Sequence, residues 1–180
     1  MAPTGPTLIR PSTEADIAAI AEIYRFHVLN GTGSFEIEAP SAAQMLLRRT
    51  DVTASGLPWL VAERSGSVVG YAYANHFRPR PAYRFCLEDS VYVAPQAHGL
   101  GLGRALLAEL LARCEALGAR QMLAVIGDSG NAGSIALHRA LGFEPAGQIH
   151  AAGWKFEKWL DVVLLQKALG LGSTRAPTPR

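Results

Sequence analysis

The chain has 180 residues, the length of one domain with enough residues to bury a sizeable core. Its content of 49% hydrophobic and 18% charged residues excludes a disordered chain, and no apolar run approaches the roughly 18 residues of a membrane span. A formal charge of +2, without a basic and aromatic-rich segment, argues against nucleic acid as a partner. The two cysteines, Cys86 and Cys114, suit a reduced compartment, so we expect a cytoplasmic protein. Since no apolar run is long enough to span a bilayer, we expect no membrane partner.

Helical and strand patterns follow one another along the chain. Ile17, Ile20, Tyr24 and Val28 recur at helical spacing after a capping-box pattern that begins at Thr13. The elements predicted in chain order are a strand at 7–10, helices at 17–28 and 41–50, a β-hairpin at 59–62 and 68–74, a strand at 85–93, a helix at 102–114, a strand at 122–126, a helix at 131–141, and strands at 146–150 and 159–165. This order favours an α/β fold in which helices lie on the faces of a mixed sheet.

The composition divides the chain into three segments. We expect a flexible N-terminus at residues 1–6 and a single domain at 7–169. From residue 170 the composition shifts to Gly, Ser, Thr and Pro, so a flexible C-terminal tail is expected at 170–180.

The segment at residues 91–104 joins the end of a predicted strand to a leucine-rich helix through Gly99, Gly101 and Gly103. Glycines let a ligand approach the backbone closely, and the free N–H groups at a helix start attract a phosphate, so we expect an anion site. A dinucleotide fingerprint is excluded because position 104 is Arg, and a nucleoside-triphosphate loop is excluded because no Lys-Ser or Lys-Thr follows. The alternative is a tight strand-to-helix turn that binds nothing.

Two motifs carry a resemblance to a known superfamily. Residues 96–101, Gln-Ala-His-Gly-Leu-Gly, fit the Gln/Arg-x-x-Gly-x-Gly/Ala signature of the GNAT acyltransferases, and residues 131–143, which open with Asn and close with Leu-Gly-Phe, resemble the superfamily's second signature. Further segments within residues 8–169 are similar to the phosphinothricin and methionine sulfoximine acetyltransferases. The resemblance implies the GNAT fold, an α/β (α+β) architecture with a central mixed, mostly antiparallel sheet flanked by helices. The sequence departs from these relatives at His98, where many have Arg, and at Glu157, where a small residue is expected.

The resemblance also implies acetyl-CoA as the cosubstrate. Val91, Tyr92 and Val93 are expected to pair with the pantetheine arm through their backbone, and one of their amides to polarise the thioester carbonyl. Asn131 and Ser134 are expected to contact the same arm, and ordinary capping of the following helix is the alternative. The pyrophosphate is expected at Gly99, Leu100, Gly101, Leu102, Gly103 and Arg104. No metal is predicted, because no histidine has a partner at metal-ligand spacing.

Glu88 is the candidate general base, because it precedes the pantetheine-pairing residues on the same predicted strand. The alternative is a structural carboxylate paired with Arg84 or Arg80. Strand alternation places Asp89 on the opposite face, as a neighbour that tunes or positions. His138 stands where many GNAT enzymes have a tyrosine that protonates the departing thiolate, so it is a candidate acid, a candidate partner of the base or a packing residue.

The arginines just before this strand suggest an acidic or zwitterionic substrate. A guanidinium binds carboxylate, phosphinate or sulfonyl oxygens, although a solvated loop is the alternative. The predicted substrate site consists of Arg78, Pro79, Arg80, Glu88, Asp89 and Ser90. The hypothesis is a homodimeric enzyme that moves an acetyl group from acetyl-CoA to the α-amine of phosphinothricin, methionine sulfoximine or methionine sulfone. The alternatives are acetylation of a protein N-terminus or another small amine, and a non-catalytic CoA-binding module.

Overall fold

The computed structural model describes residues 5–177, and each predicted helix and strand is present in it. The helices are α1 (Ile17–Asn30), α2 (Ala42–Ala54), α3 (Leu102–Ala116) and α4 (Ala132–Ala140), and the strands are β1 (Thr7–Pro11), β2 (Trp59–Arg64), β3 (Ser67–His76), β4 (Cys86–Val93), β5 (Gln121–Gly127), β6 (Glu144–Lys155) and β7 (Lys158–Ala168). The largest difference from the prediction is β6, which extends to Lys155, whereas the predicted strand ended at His150.

The strands form one sheet in the order β1-β2-β3-β4-β5-β7-β6. Within the described residues, β4 and β5 are parallel and the other neighbouring pairs are antiparallel. The parallel pair is possible because α3 supplies the crossover connection between these two strands. The expected mixed, mostly antiparallel sheet is confirmed.

Helices cover both faces of the sheet. On one face, Tyr24 of α1 packs edge-on against Tyr92 of β4, with 5.0 Å between the ring centroids. On the other face, Leu106 of α3 packs against β3, and His138 of α4 contacts Asp89 of β4. Since alternate strand residues point to opposite faces, Asp89 and Tyr92 lie on different sides of β4.

The core between α3 and the sheet holds the start of α3 in place. The apolar spacing that predicted this helix buries one stripe of its side chains, namely Leu102, Leu106, Leu107, Leu110, Leu111 and Cys114. Full burial of a leucine side chain stabilises the fold by about 1.5–3 kcal/mol. This packing fixes the glycine loop that precedes α3 relative to β4.

β4 and β5 separate part-way along their length. Within residues 5–177, their ladder runs from Cys86 opposite Gln121 to Asp89 opposite Ala124. Beyond that point β4 continues along β3 as far as Val93, and β5 continues along β7. The facing backbone edges of the two strands therefore have no ladder partners there, and a groove opens between them.

The β6–β7 hairpin turns at Phe156 and Glu157, whose φ values are 52° and 56°. Two-residue turns of this kind favour Asn and Gly, because most side chains are strained at positive φ. The hairpin therefore forms even though Glu157 stands where the relatives have a small residue. Without Asn or Gly at these two positions, however, the sequence contains no pattern that predicts a turn. For that reason the predicted strands ended short of the hairpin tip.

Beyond β7 the chain forms a further turn. The Gly172 N–H donates to the carbonyl of Leu169, and the Arg120 guanidinium lies 3.5 Å from the Gly172 carbonyl oxygen. Residues 1–4 and 178–180 lie outside the described residues. The expected division into flexible ends and a single domain at 7–169 stays a prediction.

Candidate active site

A groove of about 740 Å³ opens where β4 and β5 separate. It is bounded by the ends of these two strands, the glycine loop, the start of α4 and the segment that follows α1. Most of the predicted cofactor residues line it: Val91, Tyr92, Val93, Gly99, Gly101, Leu102, Gly103, Arg104, Asn131 and Ser134. Leu100 is not among the lining residues, and its side chain is exposed.

The glycine loop presents backbone to the groove. Gly99 and Gly101 have φ values of 77° and 74°, and a Cβ at either position would meet no atom within 4 Å. Gly101 is the N-cap of α3, so the N–H groups of Leu102, Gly103 and Arg104 have no acceptor inside the helix. Free amides at the positive end of a helix dipole bind phosphate oxygens, so the loop fits the pyrophosphate of acetyl-CoA.

Two histidines converge on the carbonyl oxygen of Val93, at the end of β4. The Nε2 atom of His27 in α1 lies 2.8 Å from this oxygen, and the Nε2 atom of His98 lies 2.9 Å from it. Burial lowers the pKa of His27 even though the Val93 carbonyl opposes that effect. No local sequence pattern predicts the contact of His27, because its partner Val93 lies 66 positions further along the chain.

The start of α4 forms the opposite wall of the groove. The Asn131 side chain accepts a hydrogen bond from the Ser134 N–H at 3.3 Å, which is ordinary N-capping. Both side chains also line the groove. Capping and contact with a ligand are thus compatible at these two residues, and the contact with the pantetheine arm stays a prediction.

Asp89 and His138 form a buried pair in the wall of the groove, which both residues line. The His138 Nε2 atom lies 2.9 Å from a carboxylate oxygen of Asp89, and the two side chains are 5% and 2% exposed. On its other side, the His138 Nδ1 atom lies 2.7 Å from the carbonyl oxygen of Ser134. Burial disfavours the charged ring, but the hydrogen bond and the charge of Asp89 outweigh burial and raise the pKa of His138 above 6.5.

This geometry bears on the three roles considered for His138. Both ring nitrogens face oxygen acceptors, so the protonated ring donates two hydrogen bonds and the pair ties α4 to β4. Transfer of a proton from His138 to a thiolate would first require one of these two hydrogen bonds to break. The arrangement therefore favours a positioning role over the acid or base roles.

Glu88 lies on the other face of β4 from Asp89, as alternation predicted. Its side chain is half-buried, and the part of the chain that the structure describes contains no ion pair of this carboxylate within 4.0 Å. Burial and then the charge of Asp89 raise the pKa of Glu88, while the charge of Arg78 opposes the rise. The alternative of a structural pair with Arg84 or Arg80 is not observed, and the raised pKa is a property of a general base.

The predicted substrate arginines lie in the loop between β3 and β4, outside the groove lining. Arg78, Pro79 and Arg80 are exposed, and the Arg78 guanidinium lies 4.4 Å from the centre of the Phe77 ring. The charge of Arg78 opposes the raised pKa of Glu88, so the two groups interact electrostatically. Of the remaining predicted substrate residues, Asp89 and Ser90 line the groove.

The segment after α1 lines the groove through Gly31, Thr32 and Gly33, and no role had been assigned to it from the sequence. It follows the helix without a regular element of its own, so it carries no periodic signal. Its residues belong to one of the segments that resemble the phosphinothricin acetyltransferases, and this resemblance was the one sequence feature that could have indicated a role for it. The lining of the groove therefore includes residues beyond the predicted set.

Three further properties concern cofactors and environment. Among residues 5–177, no three His, Cys, Asp or Glu side chains are placed to hold a metal ion together. Each helix of the described chain is too short or too polar to cross a bilayer. Cys86 and Cys114 are free thiols.

Comparison with known proteins identifies the family. The model of the acetyltransferase (GNAT) family matches residues 20–143, which is more than half of the chain. The chain belongs to this family. It is an acetyl-CoA-dependent acetyltransferase, as the motifs at residues 96–101 and 131–143 predicted.

Individual GNAT relatives resemble it over nearly their whole length. A phosphinothricin N-acetyltransferase of Alcaligenes faecalis is 52% identical over 94% of this chain and 86% of the relative. An L-methionine sulfoximine/L-methionine sulfone acetyltransferase of Pseudomonas aeruginosa is 40% identical over 93% of this chain and 96% of the relative. A crystal structure of a phosphinothricin acetyltransferase from Sinorhizobium meliloti in complex with acetyl-CoA superimposes with a TM-score of 0.93, at 50% identity, over 96% of this chain and 93% of that one. The predicted resemblance to these two kinds of acetyltransferase is confirmed.

Proposed function

We propose that this acetyltransferase acetylates the free α-amine of a small amino-acid analogue of the phosphinothricin, methionine sulfoximine or methionine sulfone type. The observation that carries the proposal is the half-buried carboxylate of Glu88, whose pKa burial raises and which the positive charge of Arg78 reaches electrostatically. An amino-acid substrate brings the complementary pair, an ammonium for the carboxylate and a carboxylate for the guanidinium. The substrates in the names of the relatives have this chemistry.

In the proposed mechanism, backbone groups hold the cosubstrate and side chains act on the amine. Bound acetyl-CoA supplies the acetyl group as a thioester. The amides of Gly101 to Arg104 bind its pyrophosphate, and the unpaired edge of β4 at Val91 and Tyr92 aligns the arm. This arrangement leaves the thioester beside the point where β4 and β5 diverge.

Glu88 accepts the proton that the substrate ammonium must lose before the amine attacks the thioester carbonyl. The new C–N bond forms as the C–S bond breaks, and CoA leaves as a thiolate that takes up the second proton released by the nitrogen, directly or through water. An α-ammonium has a pKa of about 8, so much of it is protonated at neutral pH and a base increases the rate. The raised pKa of Glu88 makes it a stronger proton acceptor than an exposed glutamate. Arg78 and Arg80 bind the carboxylate and other oxygen atoms of the substrate. The hydrogen bond between Asp89 and His138 joins β4 to α4 and so holds two walls of the groove in place.

A panel of amines with saturating acetyl-CoA, read out as thiol release, tests the proposal. The panel contains phosphinothricin, methionine sulfoximine and methionine sulfone, and their N-acetylated forms serve as matched controls without a free amine. A peptide with an N-terminal alanine and a polyamine represent the alternative substrates. We expect turnover of the amino-acid analogues and none of the controls. Turnover confined to the peptide or the polyamine would overturn the substrate assignment.

We also propose that the enzyme is a cytoplasmic homodimer that detoxifies such analogues by removing their free amine. The free thiols suit a reduced compartment. The tip of the β6–β7 hairpin exposes Trp154, Phe156 and Trp159, which are 54%, 51% and 64% exposed, and a second subunit that covered them would remove apolar surface from water. Light scattering during size exclusion measures the mass directly, and a monomer at micromolar concentration would contradict the dimer.

A further inference from the structure

Lys155 is a buried lysine at the end of β6, outside the residues considered so far. It is 5% exposed, and its ammonium donates to the carbonyl oxygens of Gly31 and Ser34 at 2.9 and 2.7 Å. These carbonyls lie 124 and 121 positions earlier in the chain, in the segment that lines the groove. One side chain therefore holds both ends of this segment.

Moving a charged ammonium from water into the protein interior costs free energy, so polar groups around it must replace the hydrogen bonds that it made to water. Burial lowers the pKa of Lys155, and the charge of Glu36 opposes that effect. The ammonium also lies 5.0 Å from the centre of the Phe156 ring. Two backbone carbonyls, an aromatic ring and a nearby carboxylate thus replace the water that Lys155 lost on burial.

The segment is also held by close packing around Phe35. A Cβ at Gly153 of β6 would lie 2.5 Å from the Phe35 ring. A Cβ at Gly127, the last residue of β5, would collide with the Thr32 carbonyl oxygen and lie 2.9 Å from the Phe35 ring. Both glycines are therefore required by the path of this segment, which presses against the ends of β5 and β6.

The segment lies on the same face of the sheet as the candidate base. Glu88 is the register partner of Leu123, and alternation along β5 puts Gly127 on the same face as Leu123. The segment that packs against Gly127 therefore borders the groove on the face of Glu88, where the substrate amine must approach. The glycine loop borders a different part of the groove.

We propose that Lys155 is a positioning residue that holds residues 31–35 as the wall of the groove on the substrate side. This wall defines the space for the substrate amine and keeps water from the thioester. The inference rests on the proposed function, because it assumes that the amine approaches on the face of Glu88. Lys155 itself touches neither ligand and acts through the backbone of Gly31 and Ser34.

Two variants disturb the wall from different sides, and each has a matched control in the same hairpin. Lys155→Met removes the ammonium and keeps the length of the side chain, and Lys167→Met removes a lysine from β7 far from the segment. Gly153→Ala displaces Phe35, whereas a Cβ at Gly147 of β6 would meet no atom within 4 Å, so Gly147→Ala is its control. The measurements are the KM for each substrate, thiol release without an amine, and amide hydrogen exchange at residues 31–35.

In the two test variants we expect the KM for the amine to rise about tenfold or more, while the KM for acetyl-CoA stays within about twofold. Thiol release without an amine should increase, and exchange should accelerate at residues 31–35. The control variants should behave like the wild type. If both KM values stay unchanged, or rise together as stability falls, Lys155 has a structural role alone and the proposal is wrong.

Two further outcomes keep the test decisive. If Lys155→Met does not fold, Gly153→Ala carries the test, since it leaves Lys155 in place and moves the same segment. If the wild type acetylates no amine of the panel, the proposed substrate fails, but thiol release without an amine still reports on the wall. Unchanged release in both test variants would then overturn the positioning role.

Discussion

The two sides of the groove are built in different ways. On the cofactor side, Gly99 and Gly101 and the first turn of α3 present backbone groups that are contiguous in the sequence. On the substrate side, the wall at residues 31–35 is held by Lys155 of β6 and packs against the ends of β5 and β6. Recognition of a pyrophosphate needs local backbone geometry, so one short motif encodes it. In the proposed site, recognition of the amine depends on long-range contacts that no short motif contains.

The same contrast separates Glu88 from the Asp89–His138 pair. Adjacent carboxylates on β4 point to opposite faces, so Glu88 lies on the face where we propose that the substrate binds, and Asp89 contacts α4. Glu88 has no ion pair in the described part of the chain, while Asp89 pairs with a buried histidine. A carboxylate without an ion partner is available for proton transfer, and a paired one holds two elements together.

The largest expected effect is that of Glu88→Gln on the rate. Loss of a general base lowers kcat by about 10²–10⁴-fold, whereas binding of acetyl-CoA, measured at equilibrium, should stay unchanged. Because the pKa of Glu88 is raised above 4.5, the acid limb of the wild-type pH profile should lie above that value and be absent in the variant. A variant with wild-type kcat would show that another group takes the proton.

Asp89→Asn should have the next largest effect, on stability. Removing one partner of a buried pair costs about 3–5 kcal/mol. Since the pKa of His138 is raised in the fold, its contribution is complete below about pH 6.5 and is lost as the pH rises through the folded-state pKa. Urea unfolding should therefore show a larger deficit at pH 6 than at alkaline pH. Glu109→Gln, which breaks the surface pair with Arg113, is the control and should cost about 1 kcal/mol or less. A deficit that does not change with pH would contradict the charged pair.

Gly101→Ala should have the smallest of these effects, confined to the cofactor side. An alanine at a φ of 74° costs about 1–2 kcal/mol, and relaxation of the strain would move the amides at the start of α3. We expect a rise of about tenfold in the KM for acetyl-CoA with the KM for the amine unchanged. Gly66→Ala is the matched control, because Gly66 has a φ of 76° and equally open surroundings in the β2–β3 turn. Equal kinetic effects of the two variants would show that the loop geometry is not specific to the cofactor.

Much of the fold could be predicted because its signals are local. The apolar spacing of Leu102, Leu106 and Leu110 defined α3, and alternation correctly separated Glu88 from Asp89. The β6–β7 hairpin was underestimated because Phe156 and Glu157 adopt positive φ without the usual turn residues. His27 and Lys155 were missed because their partners lie far away in the sequence.

By itself the sequence determined the order of the elements, the family and the glycine loop, since each depends on residues that are neighbours along the chain. The tertiary structure decided which side chains work together. It paired His138 with Asp89 and left Glu88 without an ion partner in the described chain. It also brought the ammonium of Lys155 into hydrogen-bonding contact with the backbone of the segment at residues 31–35. These outcomes depend on burial and on packing across the sheet, which give a charged group its partner and its pKa.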